Sequence, residues 1–282
     1  MKRDLVPLLR CPTGCASELS LHADEHASTP EVLSGVLTCR DCGREYPIQR
    51  GILRMLPHDL ASDAAVVPAS GHDHATIHKR SEMKARDSQT RAYERMWYLN
   101  LFGRIEIPIT MRPLRLTRNH TLLEGGCGTG RMTPSFAAKC DRLVAVDFSL
   151  RSLQRNRAKL RKQGVKNVDL IQADLCHLPF RSEVFDRVVS CQVLEHIPTP
   201  ESRLMAVQGL SRVLSRGGRL VLSAYQHSLL TRLFGEKEGE HAGGIYFYRF
   251  DRRELRRLLE HALEVRSITG ILVYHYIASC RK

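Results

Sequence analysis

The sequence predicts an α/β protein in which a doubly wound, mostly parallel sheet with helices on both faces follows a small N-terminal metal-binding module. Three observations lead to this prediction. From residue 119 onward, short apolar runs that end in glycines or carboxylates alternate with helical patterns. A glycine-rich turn joins the first of these strands to its helix. Two pairs of cysteines stand near the N-terminus.

Length, composition and charge set broad limits. The 282 residues suit one catalytic domain plus a small accessory module, and 43% hydrophobic with 26% charged residues is typical of a globular protein. No apolar run is long enough to span a bilayer, and Asp4, Pro7 and Arg10 interrupt any signal-peptide core, so we expect a cytoplasmic protein. The net charge of +13 arises entirely after residue 75. It fits an anionic partner such as nucleic acid as well as a solvated basic surface.

The first module contains Cys11, Cys15, Cys39 and Cys42, four of the nine cysteines. In a cytoplasmic protein such pairs predict a metal site rather than disulfides. Four thiolates suit tetrahedral zinc and leave no position open for a catalytic water, so the predicted zinc is structural.

The segment after the second pair is more distinctive. Residues 42–56, CGREYPIQRGILRML, resemble the C-G-x-x-Y-P-I-x-x-G-I-P-x-M-L signature of the small zinc-ribbon activator that partners several tRNA, rRNA and protein methyltransferases. Leu53 replaces the proline of that signature. The resemblance covers about residues 5–57 and implies a stabilising ribbon fused to its enzyme. Because residues 1–75 are net acidic, a scaffold role is a better hypothesis for the ribbon than binding to the phosphate backbone of a nucleic acid.

The chain between the ribbon and the glycine turn divides in two. Residues 58–81 lack periodicity and are rich in Ala, Ser, His and Asp, which predicts a linker. Residues 82–118 show helical patterning that we expect Pro108 and Pro113 to break. The predicted domains are therefore a ribbon over 1–57, a linker over 58–81 and a catalytic domain over 82–282, with lead-in helices 82–118 and core 119–282. Tyr93 and Trp97 of the lead-in either line an acceptor pocket or anchor a helix to the sheet.

The glycine turn, TLLEGGCGTGR at residues 121–131, decides the class of the catalytic domain. Arg131 stands where a dinucleotide fingerprint needs a glycine, and no Gly-Lys-Ser/Thr of a phosphate loop follows. An acidic residue before G-x-G-x-G resembles the first motif of the class I S-adenosylmethionine-dependent methyltransferases. That resemblance implies a Rossmann-like seven-stranded sheet. It also implies cofactor contacts from Glu124, Gly126, Cys127, Gly128 and Gly130.

Later strand ends resemble the further motifs of this family. The resemblance implies that Asp147, with Phe148 beside it, binds the ribose hydroxyls, and that Asp174 and Leu175 contact the adenine. Cys191 and Gln192 would line the methionine side. The sequence after residue 250 adds a helix with a capping box at Asp251 and a final pair of strands, which the family would make an antiparallel hairpin.

The acceptor is less well defined. The Asn-Pro-Pro-Tyr motif of amino-group methyltransferases is absent, and Ser-Cys-Gln-Val at 190–193 stands there, which leaves oxygen, carbon, carboxylate or ring nitrogen as acceptor atoms. His196, His227 and His241 are candidate bases, although each also fits a structural or solvent-facing role. The loop from residue 235 to 249 is expected to contribute specificity.

Three functions remain open at this point. The leading hypothesis is methylation of RNA or of a protein of the translation machinery, supported by the ribbon and by the basic catalytic half. The second is O- or C-methylation of a small molecule such as a specialised metabolite or a quinone. The third is a scaffold that binds S-adenosylmethionine without catalysis. The oligomeric state is not indicated.

Overall fold

The structure, a computed structural model, describes residues 1–15, 17–23, 31–61, 71–95, 97–241, 243–271 and 274–282. It does not describe the side chains of residues 71–75, 89–95, 97–102, 230 and 234. Within these described ranges, no helix combines the length and the apolar character that crossing a membrane requires.

Strands and helices alternate through most of the chain. The strands are β1 Leu19–Ala23, β2 Ser34–Cys39, β3 Glu45–Gln49, β4 Ile52–Arg54, β5 Thr121–Gly125, β6 Arg142–Asp147, β7 Val168–Gln172, β8 Phe185–Cys191, β9 Leu214–Tyr225, β10 Glu238–His241, β11 Ile245–Tyr248, β12 Glu264–Ile271 and β13 His275–Arg281. The helices are α1 His58–Ala61, α2 Gly71–Arg95, α3 Trp97–Leu114, α4 Thr133–Ala137, α5 Leu150–Lys162, α6 Pro200–Val213, α7 Leu229–Phe234 and α8 Arg252–Glu260. Short 3-10 helices cover Arg3–Leu8, Leu175–His177 and Leu194–His196.

One sheet contains almost all of the strands, in the order β1-β2-β3-β4-β7-β6-β5-β8-β9-β13-β12. Strands β5 to β9 are parallel to one another, and β13 is inserted antiparallel between β9 and β12. The predicted class I methyltransferase fold is confirmed in the seven strands from β7 to β12 of this order. The sheet has eleven strands rather than seven, because the ribbon pairs with its edge instead of standing apart.

The join between ribbon and core is the parallel pairing of β4 with β7. Ile52 and Leu53, opposite Leu170 and Ile171, are buried on the two faces of the sheet, each in a different hydrophobic cluster. A strand that is buried on both faces has consecutive apolar residues in its sequence, as Ile52 and Leu53 are here. The ribbon is therefore stabilised by the core of the enzyme, as a module of about fifty residues requires.

Ion pairs reinforce this join. The Arg142 guanidinium lies 2.8 Å from a carboxylate oxygen of Asp169 and 2.8 Å from one of Asp4 in the ribbon. Arg157 on α5 pairs with Glu31 at 2.9 Å, and Lys159 donates to the carbonyls of the glycine turn. Part of the basic face of α5 is thus occupied by contacts within the chain.

The lead-in helices differ from the expectation. Helix α2 begins at Gly71, inside the range expected to be a linker, and α3 includes both Pro108 and Pro113. The prediction that these prolines break the helix is wrong. An internal proline costs about 3 kcal/mol, and the packing of α3 against β8, β9 and β13 outweighs that local cost.

Two local predictions concern the C-terminal third. The capping box at Asp251 is confirmed: its side chain accepts from the backbone of Glu254, and Glu254 caps the Asp251 N–H in return. The stretch expected to be a loop at 235–249 contains the antiparallel hairpin β10–β11. This hairpin lies against the cofactor side of the molecule, where Ile245 lines the main cleft.

Candidate cofactor cleft, acceptor pocket and zinc site

The main cleft opens at the carboxyl ends of the parallel strands, with the glycine turn as its floor. Its walls include the ends of three parallel strands, at Glu124, Asp147 and Cys191, the place where doubly wound sheets bind ligands. Gly126 has a φ of 76°, and a Cβ at this position would lie 2.2 Å from Val193, so only glycine fits. The N–H groups of Gly126 and Cys127 both donate to the carbonyl of Val146, which holds the turn against β6.

The structure brings almost all of the expected cofactor-binding residues to this cleft. Its lining includes Glu124, Gly126, Cys127, Gly128, Asp147, Phe148, Asp174, Leu175, Cys191 and Gln192. Gly130 does not line it. A Cβ on Gly130 would lie 2.1 Å from the side chain of Asn156 on α5, so this glycine permits the turn and the helix to pack closely.

Asp147 ends β6 and is held by two backbone donors. Gly128 N–H donates to one carboxylate oxygen at 2.7 Å, and Ser149 N–H donates to the other at 2.9 Å. Burial raises the pKa of Asp147 and these two hydrogen bonds oppose the rise. A carboxylate fixed in this way keeps lone pairs directed at the cleft, where they suit the two hydroxyls of a ribose.

Asp174, which the resemblance assigns to the adenine, has unexpected partners. Lys79 Nζ lies 2.6 Å from its carboxylate, and His177 Nδ1 lies 3.0 Å from the same oxygen. Burial alone would raise the pKa of Asp174, but the His177 hydrogen bond and the Lys79 charge hold it well below the usual range. A cofactor amino group would share this carboxylate with Lys79.

Helix α2 forms a wall of the cleft that sequence reasoning missed. Lys79, Glu82, Met83 and Arg86 all line it, and Glu82 pairs with Arg86 at 3.0 Å. The signal in the sequence was the four-residue spacing of Glu82 and Arg86 at the start of the expected lead-in helices. The side chains of Tyr93 and Trp97, the expected acceptor-pocket residues, lie outside the described part of the chain.

A cluster of aromatic and imidazole rings adjoins the cleft, formed by His196, Tyr225, His241, Phe247 and His275. We call this cluster the acceptor pocket, after the role that we propose for it. The Tyr225 ring lies 5.6 Å from His196, 5.8 Å from His241 and 5.3 Å from His275 between ring centroids, and His241 lies 4.6 Å from Phe247. His196 belongs to both spaces, since its side chain also lines the main cleft. Sequence reasoning missed Tyr225 and His275, which lie opposite each other on β9 and β13.

The three imidazoles of this pocket favour the neutral form. Desolvation lowers the pKa of His241 and His275, and it lowers the pKa of His196 well below its usual value. His196 Nδ1 lies 2.7 Å from the carbonyl of Tyr246 and must be the donor of that hydrogen bond. Its Nε2 is therefore the nitrogen with a free lone pair. His227, the other candidate base, lies outside the pocket, with Nδ1 3.7 Å from Asp251.

The four cysteines of the ribbon come together as the sequence predicts. The Sγ atoms of Cys11, Cys15, Cys39 and Cys42 all lie within 4.8 Å of one another, with separations of 3.8, 3.5 and 3.8 Å for three of the pairs. A tetrahedral zinc with Zn–S bonds of about 2.3 Å requires S···S distances of about 3.8 Å. The cluster fits structural zinc, and the hydroxyl of Tyr46, 3.0 Å from Cys11, supports one ligand.

Comparisons with known proteins agree with this geometry. The family described as "Methyltransferase domain" matches residues 123–222, and the family described as "Trm112p-like protein" matches residues 2–51. Phosphatidylethanolamine N-methyltransferase of Cereibacter sphaeroides is 32% identical over 145 residues, which are 48% of this chain and 67% of that protein. Demethylmenaquinone methyltransferase of Thermobifida fusca is 31% identical over 38% of this chain and 44% of its own length.

Solved structures share the fold. A 1,6-didemethyltoxoflavin-N1-methyltransferase of Burkholderia thailandensis, solved with 1,6-didemethyltoxoflavin and S-adenosylhomocysteine, has a TM-score of 0.61 at 17% identity and covers 86% of this chain and 97% of its own. The [4+2]-cyclase SpnF has a TM-score of 0.54 at 18% identity, over 64% of this chain and 80% of its own. The fold alone therefore does not decide the reaction. With the family match, the sequence relatives and the cleft taken together, this chain belongs to the class I S-adenosylmethionine-dependent methyltransferases and carries a Trm112p-like zinc ribbon.

Proposed function

We propose that this methyltransferase acts on a small acceptor that presents a hydroxyl group of a planar ring to the acceptor pocket. The observation that carries the proposal is the position of His196 at the junction of the cleft and the pocket. Its Nδ1 is committed to the carbonyl of Tyr246, and its Nε2 is left as a proton acceptor.

The chemistry of the pocket fits such an acceptor. Aromatic and neutral imidazole rings pack against a flat ring by their faces and edges. When bound, S-adenosylmethionine supplies a methyl group already activated on its sulfonium. The chain has to hold the acceptor in line, exclude water and take the proton that a hydroxyl loses. Burial keeps the His196 imidazole neutral, so its Nε2 has no proton and can accept a hydrogen bond from the acceptor hydroxyl as that hydroxyl loses its proton.

The sequence relatives support a small acceptor. Several are named for one: phosphatidylethanolamine and demethylmenaquinone in the proteins from C. sphaeroides and T. fusca. The chain spans 67%, 54% and 39% of the lengths of the first three relatives, so their activities are a guide to the acceptor class only.

The test is methyl transfer from radiolabelled S-adenosylmethionine to a cell extract divided into RNA, protein and small-molecule fractions. We expect label in the small-molecule fraction. His196→Gln should lower turnover by about a hundredfold or more, the usual effect of losing a general base. His227→Gln is the matched control and should leave turnover unchanged. Label confined to macromolecules, or equal effects of the two substitutions, would overturn the proposal.

A second candidate, methylation of RNA or a translation protein, has its own supporting observation. Arg187, Arg219 and Arg281 lie directly opposite one another on β8, β9 and β13, an arrangement that costs stability through like-charge repulsion. Desolvation lowers the pKa of Arg219, and repulsion from Arg281, Arg115 and Arg266 lowers it further. Such a row suits phosphates, but it lies at the strand ends opposite the cleft. Salt-sensitive RNA binding that Arg219→Gln weakens would favour this candidate.

A further inference from the structure

Glu106 is a buried carboxylate that comes from outside the seven-stranded core. It lies on helix α3 and is only 4% exposed. Three side chains donate to it: Arg131 at 2.8 Å, Gln192 at 2.9 Å and Ser223 at 3.1 Å. These partners belong to the glycine turn, to the segment after β8 and to β9, so one carboxylate joins three elements of the core.

Two of the three partners face the cofactor cleft. Arg131 and Gln192 both line it, alongside Cys191 and the glycine turn. The resemblance to class I methyltransferases assigns the ribose to Asp147 and the adenine to Asp174. Arg131 and Gln192 are therefore placed for the amino-acid part of the cofactor.

Gln192 is held in a backbone conformation that glutamine rarely adopts. Its φ is 58°, in the left-handed region, which costs about 1 kcal/mol or more for a residue with a Cβ. Its N–H donates to the carbonyl of Ser223 and lies 3.1 Å from the Ser223 hydroxyl. Because its side-chain Nε2 donates to Glu106, the amide orientation is fixed and Oε1 becomes the outward acceptor.

We propose that Glu106 is a positioning residue that prepares the methionine end of the cofactor site. It holds the Arg131 guanidinium for the cofactor's carboxylate, and it holds Gln192 so that Oε1 receives the cofactor's ammonium group. A planar guanidinium is the side chain best suited to a carboxylate, and an amide oxygen suits an ammonium donor.

The charge balance supports this role. Arg131 alone would be a buried cation close to a cofactor that already has a positive sulfonium. The ion pair with Glu106 neutralises that charge, and both side chains are largely excluded from solvent at 15% and 6% exposure. The pair leaves a site matched to a zwitterion instead of one that repels the sulfonium.

The experiment compares two ligands that differ only at the methionine end. S-adenosylhomocysteine has the amino-acid group, and 5′-methylthioadenosine has the same nucleoside and sulfur without it. Dissociation constants are measured by calorimetry for the wild type and for Glu106→Gln. The glutamine side chain has the shape of the glutamate, but its NH2 group cannot accept the hydrogen bonds that Arg131, Gln192 and Ser223 donate to the carboxylate. We expect Glu106→Gln to weaken the affinity for S-adenosylhomocysteine roughly tenfold or more and to change the affinity for 5′-methylthioadenosine less than twofold.

A second variant guards against a general loss of structure. Gln192→Met keeps the size of the side chain and removes the acceptor oxygen, and it should show the same selective loss. Equal losses for both ligands in both variants would overturn the proposal, because a merely structural role affects the whole site. So would an affinity for S-adenosylhomocysteine within twofold of wild type in Glu106→Gln.

Discussion

Replacing Asp147 with asparagine tests the ribose site at the level of single hydrogen bonds. Gly128 N–H and Ser149 N–H each donate to one carboxylate oxygen. Asparagine has only one acceptor oxygen, so one of these N–H groups would face an NH2 group. The free energy of unfolding should fall by about 1–3 kcal/mol, the cost of leaving a buried donor unsatisfied. Cofactor binding should lose a further charge-assisted hydrogen bond, about 1.5–3 kcal/mol or roughly 10- to 100-fold in Kd.

The assay is calorimetric titration of purified Asp147→Asn with S-adenosylhomocysteine, alongside thermal unfolding. Asp186→Asn is the matched control, because its carboxylate accepts from Thr121 N–H at 2.8 Å at the opposite end of the parallel strands. That variant should lower Tm and leave Kd unchanged. A Kd for Asp147→Asn within threefold of wild type, or an equal loss in the control, would refute the assignment of Asp147 to the ribose.

Three further predictions concern the stability of the molecule. Arg142→Ala should lower the free energy of unfolding by about 3–5 kcal/mol in a urea titration, because it leaves Asp169 charged and buried. Arg216 is exposed, so Arg216→Ala should lower it by less than about 0.5 kcal/mol. Similar values for the two variants would show that the Arg142–Asp169 pair contributes little to stability. Zinc chelation or Cys39→Ser should lower the Tm of the whole chain in one cooperative transition, since the ribbon and the catalytic domain share one hydrophobic cluster. Two separate transitions in calorimetry would contradict this prediction. Burial lowers the pKa of His196 well below its usual value, and desolvation also lowers the pKa of the half-buried His275 and of the more exposed His241. The unfolded chain therefore binds protons first, and the free energy of unfolding should fall as pH drops below about 6.5. His196→Phe should flatten the slope of Tm against pH, and an unchanged slope would show that His196 is not its source.

The parts of the fold that follow from local chemistry could be predicted from the sequence. The glycine turn needs φ values that only glycine adopts easily, Asp147 and Asp174 end apolar strands, and Ser149 caps α5 by accepting from Ser152 N–H. Each of these signals lies within a few residues. The four cysteines are equally local, because two short pairs suffice to predict one metal site.

The parts that depend on distant contacts could not be predicted. Nothing in Ile52-Leu53 indicates that it pairs with a strand more than a hundred residues later. Lys79 was missed because its partner Asp174 lies 95 residues away. The acceptor pocket likewise gathers His196, Tyr225 and His275 from three separate elements, and no spacing in the sequence connects them.

The pairing of β4 with β7 has a consequence for the stoichiometry of the system. A ribbon on a separate chain would occupy this edge only in proportion to its concentration and affinity. Here the two strands belong to one chain, so the pairing is intramolecular, with an effective concentration on the order of millimolar. The edge of β7 is already covered by β4 and offers no place for a second ribbon. The pairing therefore does not depend on the concentration of a separate ribbon subunit.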